Sequence, residues 1–292
     1  MIPLAALLVL VNLPLAASPA AVPVARFGWD GDASMAAART CAEVWQAEGP
    51  ALAAALVPAG AAVDTVNVLV MGSAEFARLL GGAIPDWGVG ITTPDGRVVA
   101  IDRERLPAVG RGLRTVFLHE MVHALMLQAA GGVPMPAWFL EGAAQAQSGE
   151  WRFVDTVALV FDGRVAPLAS LEGPFPADPH RADRAYRVSL LAAEYLADRH
   201  GPDAVARVLA AAVERGSFAG GFQAATGEPV EVFAAAFDAR MRLRLGWVAM
   251  VLSWPTLFVL LGVVLGAAAV RRRAQARRRL EAMPDDEPAS EA

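Results

Sequence analysis

The sequence predicts an α+β fold: a small N-terminal sheet, a central helix, a mostly helical C-terminal half, and a C-terminal transmembrane helix. Three observations predict it. Short Val-rich segments lie before residue 102, whereas long helical patterns dominate after residue 112. Strands early and helices late describe an α+β domain and not an alternating βαβ sheet. Finally, 26 uncharged residues, Leu245–Val270, separate Arg244 from Arg271.

Taken in order, the chain opens with no charged side chain before Arg26. Leu4 to Leu15 is apolar, and Ser18 and Ala20 suit the small-residue positions of a cleavage site. This pattern predicts a signal peptide over 1–20, with an uncleaved N-terminal anchor as the alternative. An exported domain is expected over 21–245. It begins with a helix over Ala33–Ala47, for which Asp32 is a plausible N-cap. Thr65–Met71 alternates and reads as a strand. Ser73 is placed to cap a short helix reaching Leu80, with Glu75 near its positive end. Trp87–Ile91 and Arg97–Ile101 flank Thr93-Pro94-Asp95-Gly96, a turn sequence, and predict a hairpin.

A helix is expected over Leu113–Ala130, ended by Gly131-Gly132. Pro134 and Pro136 interrupt the chain before another over Ala137–Ser148. Further helices are expected over Arg152–Phe161, Ala182–His200, Pro202–Arg215 and Pro229–Arg244. As a helix, Leu245–Val270 would extend about 39 Å, enough for a ~30 Å hydrocarbon core. Trp247 and Trp254 lie near one end, and Arg271-Arg272-Arg273 and Arg277-Arg278-Arg279 beyond the other. Basic clusters stay cytoplasmic, so a span over 246–270 predicts a single-pass membrane protein. Its domain would then lie in the periplasm or outside the cell, and its basic and acidic tail, 271–292, in the cytoplasm.

Composition excludes some functions. The body before Arg271 holds 19 Arg against 25 acidic residues, a net charge of −6, and such a surface does not attract nucleic acid. Cys41 is the only cysteine among 292 residues, which excludes an intramolecular disulfide and an all-Cys metal site. On a helix, a lone cysteine is expected to serve as a small buried apolar side chain. The sequence sets no oligomeric state.

The chemistry-bearing motif is Leu118-His119-Glu120-Met121-Val122-His123. Four residues apart on a helix, His119 and His123 project from one face, one turn apart, and can reach one Zn²⁺. Glu120 lies beside that face, where a carboxylate can contact a water on the metal without ligating the metal. Catalytic zinc takes three protein ligands. His180 and His200 are distant in sequence, and His200, beside Gly201-Pro202, suits a helix-end role. Glu141 is the better candidate, because the Gly/Pro break followed by a second helix can return it toward the first.

His119-Glu120-x-x-His123 followed by Trp138-Phe139-x-Glu141-Gly142-x-Ala144 resembles the gluzincin metallopeptidases, especially the bacterial peptidase-MA-like domains. Ser73-Ala74-Glu75-Phe76 and Trp87 before the motif, and Tyr186-Arg187-x-Ser189 and Ala193-x-Tyr195-Leu196 after it, add softer likeness over roughly 66–244. The resemblance implies a zincin-like fold and one Zn²⁺ per chain, bound by His119, His123 and Glu141. Glu120 would be the general base, taking a proton from the water and passing it to the leaving amine. Tyr186 would be the oxyanion donor, and a peptide or protein the substrate. Gln145 stands where related enzymes carry an acid that orients a zinc His, and its amide oxygen can accept an imidazole N–H. Such enzymes hold an extended substrate against a strand edge, here either Arg97–Ile101 or Trp87–Ile91. A zinc-binding but inactive surface interaction domain is the alternative.

Overall fold

A computed structural model describes residues 23–81, 88–149, 166–176, 178–251 and 254–281. The expected signal peptide, the helix over Arg152–Phe161 and the end of the tail lie outside them. Two compact units are resolved, Met1–Met241 and Arg242–Ala292.

The first unit starts with strand β1 (Ala25–Trp29), helix α1 (Asp32–Leu56), strand β2 (Val66–Met71) and helix α2 (Ser73–Leu79). Strands β3 (Gly90–Thr92) and β4 (Val98–Asp102) form the hairpin. The sheet order is β1-β2-β4-β3; β1, β2 and β4 run parallel and β3 antiparallel to β4. Helices α3 (Leu113–Ala129) and α4 (Ala137–Ser148) follow. After a 3-10 turn at Leu168–Leu171 come α5 (Pro179–His200), α6 (Ala204–Arg215), α7 (Phe218–Thr226) and α8 (Val230–Val251).

The expected fold class needs correction on two counts. First, the described chain is mostly helical with a small mixed sheet, and that sheet opens with a parallel β1-α1-β2 crossover. β1 is short and carries Arg26 and Gly28, so it has little strand signal of its own. Its partner β2 supplies the Val-rich half of the ladder. α1 also runs past its expected end at Ala47, through Pro50 to Leu56, because Leu52, Ala53 and Leu56 are buried on its core face. Second, no helix among the described residues is long and apolar enough to cross a membrane. Of the uncharged run, the described residues lie in α8, as far as Val251, and in α9 (Trp254–Glu281). The apolar part of α9, 254–270, extends only about 26 Å at 1.5 Å per residue.

Smaller corrections concern caps. Gly31 and Gly72, not Asp32 and Ser73, occupy the N-cap positions of α1 and α2. The Ser73 hydroxyl instead donates to Asp102 Oδ1 at 2.9 Å, tying α2 to the end of β4.

The hairpin is fastened directly to α3. Its turn closes by Gly96 N–H donating to Thr93 O at 2.8 Å. Gly96 has φ +68°, and a Cβ there would stand 2.5 Å from Ala124 O of α3. Gln128, near the end of α3, donates to Gly96 O at 2.8 Å and accepts from Asp64 N–H at 2.6 Å. These contacts fix the hairpin's position along α3.

Candidate metal centre

α3 is buried around its whole circumference: Val116, Phe117, Leu118, Met121, Val122, Ala124, Leu125 and Met126 are all in the core. A helix apolar on every side belongs in an interior, where a polar side chain is costly unless it is paired. His119 and Glu120 are nevertheless buried there, and His123 is partly buried.

The two imidazoles leave the same side of α3, with ring centroids 4.8 Å apart and planes at 73°. Their Nε2 atoms are 3.1 Å apart. Glu141 of α4 brings Oε2 to 3.3 Å from His119 Nε2 and 3.4 Å from His123 Nε2. That oxygen is buried and makes no directed hydrogen bond. The three ligand atoms lie within 4.8 Å of one another.

A hydrogen bond between the imidazoles accounts for one of these approaches but not for the oxygen facing both. A single divalent ion accounts for all three. Donors about 2.0–2.2 Å from a tetrahedral centre stand roughly 3.3–3.6 Å from each other, close to the separations here. His119, His123 and Glu141 therefore fit a metal ion, with a donor set that several divalent metals accept. Burial alone would raise the Glu141 pKa. His123 and then His119 outweigh it and hold the carboxyl well below the usual carboxylate range, in the ionised form a metal ligand requires.

α4 is anchored on both sides of Glu141. Before it, Ala137 N–H donates to Glu172 O at 2.9 Å, and Trp138 stacks on Phe233 with centroids 5.9 Å apart. After it, Gly142 allows backbone contact with α5: a Cβ there would stand 2.2 Å from Ser189 O. Gln145 donates to Glu141 O at 3.2 Å and Tyr186 O at 2.8 Å. Its amide N–H groups thus fasten α4 to α5.

Glu120 faces the edge strand. Thr92 Oγ1 lies 2.7 Å from Glu120 Oε2 and 3.0 Å from Glu120 O. Gly90, on the same face of β3, leaves room for the carboxylate, since a Cβ there would meet Oε1 at 2.6 Å. Tyr186 sits half-buried on α5 with its ring edge-on to Phe175, centroids 5.1 Å apart. His180 is exposed, and His200 Nε2 lies 2.9 Å from Glu228 Oε1 at the end of α5. Neither joins the three-atom cluster.

Sequence reasoning missed Thr92 and Gly90. Their spacing of two on a strand that precedes the His motif was the available signal, but nothing local says which helix that face meets. Compared with known proteins, the chain matches no family model, no curated protein and no solved structure.

Proposed function

We propose that this chain is a zinc-dependent peptidase of the gluzincin type, holding one Zn²⁺ through His119, His123 and Glu141 and hydrolysing a peptide or protein substrate. The observation that carries the reading is the mutual spacing of 3.1, 3.3 and 3.4 Å among ligand atoms of one buried and two partly buried side chains, with the Glu141 oxygen buried and without a hydrogen bond. When bound, zinc supplies Lewis acidity, polarising a carbonyl and acidifying a water to a pKa of about 7.

The chain's own residues do the rest. Glu120, following a ligand yet held off from the cluster by Thr92, accepts the proton that the attacking water loses and delivers it to the leaving amine. Tyr186 is assigned the donor for the carbonyl oxygen as charge develops there; Gln145 joins its backbone to that of Glu141, one turn away on α4. β3 is an edge of the described sheet. Asp102 N–H donates to Val89 O and Thr93 N–H to Val98 O, so by alternation Ile91 pairs inward and the backbone groups of Gly90 and Thr92 face the open edge. An extended peptide can pair there, which selects β3 over β4 as the substrate strand.

The test compares the zinc-loaded chain with Glu120→Gln on casein and on a quenched-fluorescent peptide library. The expected result is cleavage by the wild type, at least about 100-fold weaker in the variant, with zinc retained by both. Zinc binding with no cleavage by either would favour the inactive interaction domain.

A further inference from the structure

Beyond the ligands and the base, the geometry points to Thr92 as a positioning residue: its hydroxyl fixes one oxygen of the Glu120 carboxylate, while the bare Gly90 Cα makes the space in which the other oxygen stays open to take a proton. The inference rests on the peptidase reading for its consequence in catalysis, but not for the contact itself.

Three observations support it. A threonine hydroxyl has one proton to give, and two acceptors are in reach, Glu120 Oε2 at 2.7 Å and Glu120 O at 3.0 Å. The charged acceptor at the shorter distance takes it, because hydrogen bonds to ionised oxygens are shorter and stronger than those to carbonyls. Gly90 then bounds the same carboxylate from two positions earlier on β3: a Cβ would stand 2.6 Å from Oε1 and 2.9 Å from Cγ. Finally, β3 cannot slide along α3, because the hairpin turn is pinned by Gln128 to Gly96 O and by the close approach of Gly96 to Ala124 O. One short strand thus both presents an open edge and sets the rotamer of the base. The two tasks are coupled, since a peptide pairing with Gly90 and Thr92 meets Glu120 at a fixed offset along the strand.

A groove lined by Pro134, Met135, Pro136, Phe218, Val230 and Glu231 has nothing in the structure to say what fills it. At the ends of the parallel strands Asp30 Oδ2, Asp102 Oδ1 and Glu104 Oε2 accept from backbone N–H groups of Gly72, Ser73, Glu104 and Arg105, and the lone unpartnered oxygen there, Asp102 Oδ2, has no second ligand group beside it in any cluster among the described residues.

The test uses the full chain loaded with zinc and three variants, Thr92→Val, Thr92→Ser and Gly90→Ala. Crystal structures should show the Glu120 carboxylate against the residue-92 hydroxyl in wild type and Thr92→Ser, and swung away in Thr92→Val and Gly90→Ala. Metal analysis should give one zinc per chain throughout. An unmoved carboxylate in Thr92→Val overturns the proposal. With peptide substrate, kcat should fall about 10–100-fold in Thr92→Val, with KM changed less than about twofold, and recover in Thr92→Ser. A kcat equal to wild type in Thr92→Val, or a loss that Ser does not restore, also overturns it. Should zinc-loaded wild type cleave nothing, it is the peptidase reading that fails, and the carboxylate's position still decides the role of Thr92.

Discussion

Cys41 is 1% exposed on the core face of α1, and burial pushes its thiol up to about 12. It stays protonated through the ordinary pH range, and the thiolate is the reactive form. Native protein at pH 8 should therefore resist a disulfide-exchange reagent and react with one equivalent only when unfolded; rapid labelling of the folded chain would contradict the burial. Gly142 is a second residue on which packing hinges. A methyl group there meets Ser189 O and Ala193 Cβ, backbone and buried helix that cannot simply swing aside. Gly142→Ala should destabilise by about 1–3 kcal/mol in denaturant unfolding, as overpacking does. At this scale the sequence was most legible where chemistry follows helical spacing. His119, Glu120 and His123 sit on one helix, and a Gly/Pro break implied the return of Glu141. The amide N–H partners of Gln145, the carbonyls of Glu141 and Tyr186, were not legible because they depend on how two helices cross.

Among the elements, α4 carries a ligand and is held by aromatic packing. Trp138 is 1% exposed, stacks on Phe233 and meets Phe218 edge-on at 6.0 Å. Glu141 lies three residues further along the same helix, so loosening this end should shift the carboxylate as well as open a cavity. Trp138→Ala is expected to cost about 3–5 kcal/mol in stability and to weaken metal binding by at least tenfold. A loss of stability with metal affinity unchanged would show that α4 is positioned by its α5 contacts alone. The helices over Leu113–Ala129 and Ala137–Ser148 and the hairpin were readable from periodicity and turn residues. β1 and α7 were not: β1 depends on a partner strand, and α7 is a nine-residue helix with two glycines, in a stretch between two expected helices to which no element was assigned. The apolar run after Arg244 misled for another reason. A count of uncharged residues does not fix the length of an apolar helix: in α9 the stretch before Arg271 extends only about 26 Å, short of a ~30 Å hydrocarbon core.

For the whole molecule, the metal would join α3 to α4 and so link the layer next to the sheet to the helical half. A ligand that binds only the folded chain stabilises it, by about 2.7 kcal/mol at a hundredfold excess over Kd. Zinc should therefore raise Tm in the wild type and leave it unchanged where a ligand is missing. The peptidase reading requires that His119, His123 and Glu141 share one ion. The most direct measurement is the metal content of the purified full chain, zinc-loaded and dialysed, beside His123→Ala and Glu141→Ala. One zinc per wild-type chain and well under a tenth of that in either variant is the predicted result. Zinc retained equally by all three proteins, or absent from the wild type, would contradict it.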